Sequence, residues 1–208
     1  AGAEAFDIVD LSAPEQVIDH LGTLRHVAFM GENTAFASRI GMPSALHNEA
    51  HLRNSLDYHR SVKSAYEVAL IREANQVAMT AHRTAQTAFL QGHSELGVHH
   101  AYLAACQARD PDMPYETIVA FDDRSAVLHY QHKRTSPGTN SQVLLVDAGY
   151  QLQGYASDIT RTFARDSAPG VFQALIRAVT GLKDSLMAAT SPGVSFKDLN
   201  QLAHDGVT

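Results

Sequence analysis

The chain has 208 residues, of which 45% are hydrophobic and 18% are charged, a composition typical of a folded protein of one large or two small domains and not of a disordered chain. Its formal net charge of -6 provides no basic stripe to neutralise phosphates, so we expect no nucleic-acid partner. With a single cysteine, Cys106, only short apolar runs and no signal-like pattern in its first residues, the chain is expected in the cytoplasm, without an intrachain disulfide and without a membrane partner.

The first sixty residues predict a short α/β domain. Residues 6–11 (FDIVDL) and 26–30 (HVAFM) have the apolar character of strands, and a helix that starts at a proline and stops at a glycine is predicted over residues 14–22 between them. The next stretch mixes Gly, Asn and Pro without a sustained period, and a helical pattern then resumes in HLRNSLDYHR. We therefore predict one domain over residues 1–60 and a second over residues 61–208.

Two helices are predicted to open the second domain. Ser64 and Glu67 have the spacing of a capping box, and an apolar stripe follows them until Gly92. Another helix is predicted over residues 95–109, where two prolines force an extended loop. The stripe of the first helix consists of Val68, Ile71, Ala74, Ala78, Ala81, Ala85 and Phe89.

Strands and two further helices complete a predicted α+β fold, in which long helices pack on an antiparallel sheet. Residues 117–121 and 126–130 are rich in strand-forming residues. Residues 142–147 lead into a glycine-containing turn and return through residues 155–163, which is typical of an antiparallel hairpin. The last predicted helices cover residues 168–190 and 195–204.

Two aspartates of this hairpin are candidate metal ligands. Asp158 follows Asp147 by eleven residues, so a turn centred on Leu152 and Gln153 would place them directly opposite each other on one face. Cross-strand Cβ atoms are about 4.5–5.5 Å apart, and like charges at that distance destabilise a sheet unless a cation binds them. Carboxylates suit Mn, Mg or Ca and also ligate Zn or Co. The alternative interpretation is that Asp147 precedes a turn and that Asp158 is a solvated partner of Arg161.

The surrounding residues, LLVDAGYQLQGYASDITRTF, resemble the signature of the pita-bread metallopeptidases, which include prolidase (Xaa-Pro dipeptidase) and aminopeptidase P. The resemblance implies that Asp147 and Asp158 are two of five ligands of a pair of divalent metal ions, with manganese as the first expectation and cobalt or zinc as alternatives. It also implies that Thr160 and Arg161 support these carboxylates by hydrogen bonding.

Four further positions match the same family. AVLHY resembles the prolidase branch, which implies that His129 is a catalytic residue that contacts the substrate and stabilises the oxyanion. In MPYETIVAF, Tyr115 matches a tyrosine that lines the substrate pocket. Gly149 and Gly154 match the glycines of the signature, and we expect both to form the tight turn because glycine accepts a positive φ. The simpler alternatives are a surface histidine and a buried tyrosine at the edge of a strand.

The implied function is metal-dependent hydrolysis of Xaa-Pro dipeptides, that is, of small peptides with proline after the scissile bond, by a homodimer. The alternatives are an Xaa-Pro or methionine aminopeptidase, and a catalytically dead peptidase-like scaffold that binds a partner. In the family, one histidine and two glutamates far downstream complete the metal site, and no candidate set follows Thr160. We therefore expect an incomplete chain, inactive alone. Residues 1–60 would be the last part of a creatinase-like amino-terminal domain, and residues 61–208 the first half of the catalytic domain.

Overall fold

The structure is a computed structural model that describes Gln16 and residues 27–207 of the chain. These residues divide into two compact units, with the boundary after Ser64. Within this described part, no helix is both long enough and apolar enough to span a lipid bilayer. The strand predicted at residues 6–11 and, apart from Gln16, the helix predicted at residues 14–22 lie outside the described residues.

From residue 27 onward, the first unit contains two α-helices, a short 3-10 helix (Ser44–Leu46) and a small apolar cluster. Helix α1 spans Thr34–Arg39, and helix α2 spans Ala50–Ser61, where the sequence predicted a helical pattern. Phe29 and His47 form an isolated parallel β-bridge, so the strand predicted at residues 26–30 is wrong where the structure describes it. The buried residues of the cluster are Ala37, Ile40 and Met42.

Two helices form one layer of the second unit. Helix α3 spans Ala65–Leu90 and packs against helix α4, which spans Glu95–Cys106. The predicted apolar stripe is buried from Ala74 to Phe89. Gly92 follows α3 with a φ of 87°, a left-handed conformation that commonly ends helices. Helix α4 is shorter than predicted, because Gln107 adopts a left-handed conformation directly after it.

An antiparallel sheet packs on this helical layer. Its three main strands lie in the order β1-β2-β5, and a small hairpin of β3 and β4 extends the ribbon formed by β2 and β5. In β2, Leu144, Val146 and Ala148 are fully buried, whereas Leu145 and Asp147 alternate with them and face the other side. The predicted antiparallel hairpin is thus present. The strands are β1 (Ile118–Phe121), β2 (Val143–Ala148), β3 (Gln151–Leu152), β4 (Tyr155–Ala156) and β5 (Ile159–Ala164).

The strand predicted at residues 126–130 is wrong. A 3-10 helix spans Asp122–Ala126 and begins at Asp122 with a φ of 52°, and residues 127–130 form a bend and a turn without strand pairing. The Asp122 carboxylate accepts hydrogen bonds at 2.8 and 2.9 Å from the N–H groups of Gln142, just before β2, and Val143, its first residue. His129 has a φ of 54°, which a continuous strand excludes. Side-chain hydrogen bonds therefore determine the path of the chain here, and the strand propensity of AVLHY does not.

The β2–β5 ribbon turns one residue later than predicted. Asp147 is in register with Thr160, and the small hairpin continues the same pairing. The turn residues are therefore Gln153 and Gly154, with φ values of 49° and 85°, as in a type I′ turn. The predicted direct pairing of Asp147 with Asp158 is wrong. Glycine at the second turn position selects this register, since other residues rarely adopt that conformation.

Gly149 has a different role from the turn-forming role predicted for it. The turn lies elsewhere, and Gly149 is not among the glycines with a positive φ in the described part of the chain. A Cβ atom on Gly149 would collide with the carbonyl oxygen of Ser157. It would also lie 2.9 Å from Cγ of Pro114 and 3.0 Å from Cε1 of Tyr115. Glycine here lets the two sides of the ribbon and the loop before β1 approach one another closely.

Two amphipathic helices follow the sheet, close to their predicted bounds. Helix α5 spans Gly170–Ala189 and helix α6 spans Phe196–Asp205, and neither contains a buried residue. Phe172 and Leu175 of α5 line a broad groove along the side of the sheet that faces away from α3 and α4. The core of the second unit therefore lies between the sheet and the first two helices.

Replacement of Gly149 by alanine should lower the free energy of unfolding by about 1–3 kcal/mol, because the added methyl group has no room. Gly181→Ala is the matched control. It lies inside α5 with open space around the new Cβ atom, and it should raise the free energy of unfolding by roughly 0.5–1 kcal/mol. Urea unfolding followed by circular dichroism measures both. A G149A chain as stable as the wild type would contradict the close packing of the ribbon on the loop.

Candidate metal centre

Asp147 and Asp158 lie on the same face of the ribbon. Asp147 is half-buried near the end of β2, and Asp158 is exposed immediately before β5. Because Asp147 pairs with Thr160, Asp158 lies two residues from the direct partner. A two-residue step along an extended strand returns to the same face. The two carboxylates are therefore diagonal neighbours, a relation that long side chains can still bridge.

The hydroxyl group of Tyr115 joins the two carboxylates. It lies 2.9 Å from Oδ1 of Asp147 and 3.0 Å from Oδ1 of Asp158. A phenol has one proton, so it can donate to only one of these oxygens at a time. Burial, together with the hydrogen bonds and negative charges of both aspartates, raises the pKa of Tyr115 well above its ordinary value, which keeps the group a donor. Two carboxylates thus share one donor, an arrangement that a divalent cation would stabilise.

A pocket of about 300 Å³ opens in front of this pair. Both aspartates, Tyr115 and His129 line it, so four of the residues singled out from the sequence meet in one place. His129 reaches the pocket from an irregular loop and not from the predicted strand. Glu116 and Gln131 also line it, and the sequence reasoning did not single them out. The sequence offered one indication that they belong to the site: Glu116 directly follows Tyr115, and Gln131 lies two positions after His129.

The two residues expected to support the aspartates have different surroundings. Thr160 faces Asp147 across the ribbon. Arg161 is in register with Val146, whose side chain is fully buried on the helical side of the sheet. The Arg161 side chain therefore leaves the ribbon on the face opposite the aspartates, and its Nη1 donates to the Thr160 carbonyl oxygen at 2.8 Å. In this geometry Arg161 does not contact either carboxylate directly.

Two buried side chains of the helical layer hold the backbone that follows Asp147. Nε2 of His82 lies 3.2 Å from the Ala148 carbonyl oxygen, and the Tyr102 hydroxyl donates to the Gly149 carbonyl oxygen at 3.1 Å. Burial lowers the pKa of His82, so the neutral ring donates through Nε2 to the carbonyl. The sequence reasoning missed both residues. The position of His82 among the buried alanines of α3 could have indicated that its side chain faces the sheet.

The described residues offer two candidate metal ligands. Residues 27–207 contain no group of three or more His, Cys, Asp or Glu side chains that could hold a metal ion. The available donors are the carboxylate oxygens of Asp147 and Asp158, which are hard ligands suited to divalent cations. Their convergence on a single proton donor fits a cation between them.

A family model described as metallopeptidase family M24 matches residues 69–208. The chain belongs to this family. The resemblance recognised in the signature around Asp147 is therefore confirmed, and so is the metallopeptidase class that it implied.

Two curated relatives of this M24 chain are both named as Xaa-Pro dipeptidases. The Xaa-Pro dipeptidase of Sodalis glossinidius (strain morsitans) is 37% identical over 198 residues, which are 95% of this chain and 45% of the relative. Xaa-Pro dipeptidase 2 of Idiomarina loihiensis is 39% identical over 198 residues, which are 95% of this chain and 44% of the relative. The chain thus spans less than half the length of these relatives.

A solved structure has the same fold as this M24 chain. The prolidase from Pyrococcus horikoshii OT3 matches it with a TM-score of 0.77 at 18% sequence identity, over 95% of this chain and 57% of that chain. At this identity the likeness establishes the fold alone. The α+β architecture predicted from the sequence is confirmed as part of a pita-bread domain.

Replacement of Tyr115 by phenylalanine in the metal-free M24 chain should lower the free energy of unfolding by about 1–2 kcal/mol, because both aspartates lose their shared donor. The loss should be smaller in a chain that carries Asp147→Asn and Asp158→Asn, where the repulsion is absent. Tyr66→Phe is the control, since Tyr66 is exposed and its hydroxyl donates to the Gln153 side chain and to neither aspartate. Equal losses in both backgrounds would show that Tyr115 does not couple to the aspartates.

Proposed function

We propose that this M24 chain is part of a metal-dependent peptidase that hydrolyses Xaa-Pro dipeptides, with Asp147 and Asp158 as two of its metal ligands. The observation that carries the proposal is the convergence of both carboxylates on the Tyr115 hydroxyl, in a pocket that His129 also lines. The names of the two curated relatives support the substrate class.

The donor chemistry of the pair favours a hard divalent cation. Each aspartate has an oxygen, Oδ2, that Tyr115 does not contact, and Oδ1 retains a second lone pair. Manganese suits such oxygen donors, and cobalt and zinc are the alternatives. When bound, divalent ions supply Lewis acidity toward a scissile carbonyl group and lower the pKa of water. Two carboxylates alone bind such ions weakly, because affinity grows with the number of ligands.

The remaining residues of the pocket have separate roles in this proposal. Tyr115 donates its proton to the carboxylates and orients them. His129 is exposed in the pocket, where a ring N–H group can donate to the carbonyl oxygen of the substrate as negative charge develops on it. Glu116 lines the pocket, and its carboxylate lies 3.9 Å from Nζ of Lys133, a partner that the protonated amino terminus of a dipeptide would replace. The volume of about 300 Å³ lies at the small end of ligand sites, as a dipeptide requires.

The 208-residue chain should bind Mn²⁺ with a dissociation constant on the order of 0.1–1 mM, typical of sites with few charged ligands. Asp147→Asn and Asp158→Asn should each remove most of this binding. Asp112→Asn should not, because that carboxylate is exposed and pairs with Arg109. Calorimetric titration measures the affinities of the wild-type chain and of the three variants. Undiminished Mn²⁺ binding by the Asp147→Asn, Asp158→Asn double variant would contradict the assignment of the ligands.

Hydrolysis can be tested in two proteins. The 208-residue chain alone should leave Gly-Pro intact, since its described residues offer two metal ligands. A chimera, in which this chain replaces the matching 198 residues of the Sodalis glossinidius relative, should hydrolyse Gly-Pro. In the chimera, Asp147→Asn should reduce kcat/KM by more than about a hundredfold. This loss exceeds the one expected from removing a residue that only hydrogen-bonds to a metal ligand.

The control for the chimera is again Asp112→Asn, which should retain activity. A folded chimera that binds Mn²⁺ but cleaves Gly-Pro no faster than its Asp147→Asn variant would refute the proposed activity. Measurable Gly-Pro hydrolysis by the verified 208-residue chain would show that two ligands suffice and would contradict the proposed dependence on further ligands.

A further inference from the structure

A fully buried carboxylate outside the pocket binds four donors. Glu95, the first residue of α4, is 0% exposed. Its oxygens accept hydrogen bonds of 2.7–2.9 Å. The donors are the backbone N–H groups of Phe121 and Arg134, Nε of Arg124 and the hydroxyl of Tyr130. We refer to Glu95 and these four residues as the Glu95 cluster.

The donors come from the two ends of one segment, residues 121–134, which contains His129. Oε1 of Glu95 binds Phe121 and Arg124, which precede His129. Oε2 binds Tyr130 and Arg134, which follow it. A single side chain therefore ties the start of the segment to its end.

The cluster requires a charged acceptor. Burial alone would raise the pKa of Glu95, but the donors from Arg134, Arg124, Phe121 and Tyr130 outweigh burial and lower it. Glu95 is therefore ionised at neutral pH. Each carboxylate oxygen accepts two of the four hydrogen bonds. A glutamine in the same place has one oxygen and an NH₂ group, which would face two of these donors with donors of its own.

His129 needs such support from its surroundings. Its φ of 54° lies in the left-handed region, which is unfavourable for a residue other than glycine unless neighbouring structure holds it. The next residue, Tyr130, is buried and donates to Glu95 at 2.9 Å. The hydrogen bond between Tyr130 and Glu95 therefore fixes the backbone one residue after His129.

We propose that Glu95 is a positioning residue, whose carboxylate holds residues 121–134 in the conformation that points His129 into the pocket of Asp147 and Asp158. The importance of Glu95 for catalysis rests on the proposed function. The hydrogen bonds of Glu95 are present whether or not that function is correct.

Glu95→Gln tests the proposal through hydrogen exchange at two amides. The N–H of Val127 bonds to the Arg124 carbonyl oxygen, and that of Leu96 bonds to the Arg134 carbonyl oxygen. The substitution leaves both acceptors in place, so these amides report on the order of the segment. Exchange at both should accelerate by about tenfold or more, as expected when hydrogen bonds to a charged group are lost, while β2 amides bonded to β5 change by less than about twofold.

Two further variants complete this experiment. Tyr130→Phe keeps the carboxylate and three of its four donors, so exchange at the same two amides should accelerate by a smaller factor. If Glu95→Gln does not fold, this variant tests the proposal in its place. Asp112→Asn removes an exposed carboxylate paired with Arg109 and should change neither amide. Unchanged exchange in Glu95→Gln, or equal acceleration throughout β2 and α3, would overturn the proposal.

A second readout follows the imidazole of His129 itself. Its ¹H–¹⁵N signals are identified by their loss in a His129→Gln chain, and added Mn²⁺ should broaden them in the wild-type chain. At equal Mn²⁺ occupancy, the broadening should be weaker in Glu95→Gln, because His129 leaves the pocket. Equal broadening in both chains would overturn the positioning role. Absence of broadening in the wild type would count against the proposed metal site, while the exchange rates still decide the role of Glu95.

Discussion

A single phenolic proton between two carboxylates is the constraint around which the second unit is built. Tyr115 contacts Asp147 and Asp158 together, which requires the ribbon to approach the loop before β1. Gly149 makes that approach possible, since any Cβ atom there would meet Pro114 and Tyr115. From the other side of the sheet, His82 and Tyr102 bind the carbonyl oxygens that follow Asp147. The helical layer, the ribbon and the loop thus fix one pair of acidic side chains.

The second unit treats its acidic groups in two contrasting ways. Glu95 is fully buried and accepts four hydrogen bonds, so no lone pair lacks a donor and no further cation is required. Asp147 and Asp158 share one hydroxyl donor and border a pocket. One donor does not balance two negative charges, and a cation bound in the pocket would stabilise them. The first arrangement is typical of structure and the second of a ligand site, although both lie within the same seventy residues of chain.

Sequence patterns predicted the elements better than their connections. The alanine-rich stripe that ends at Phe89 follows from helical periodicity, and the ribbon follows from apolar runs around a glycine turn. The register was predicted one residue out, because the position of Gly154 in a type I′ turn decides it and strand propensity does not. The strand predicted at residues 126–130 failed because Asp122 and Glu95 redirect the chain. Glu95 lies 26–39 positions from its donors, a separation at which local patterns contain no information.

Contacts within the second unit hold the geometry of the pocket. The ribbon turn, the Glu95 cluster and the contact of Tyr115 with both aspartates are all formed by side chains and backbone of the second unit. A cation would therefore meet carboxylates that Tyr115 already orients through Oδ1 of each aspartate, and Oδ2 of each would remain for the cation. Preorganisation of this kind reduces the entropy that ordering the ligands would otherwise cost. It does not add ligands, so the proposed affinity and catalysis still depend on donors beyond this pair. Under the proposed function, the described residues set where an ion binds, and the number of further donors sets how tightly it binds.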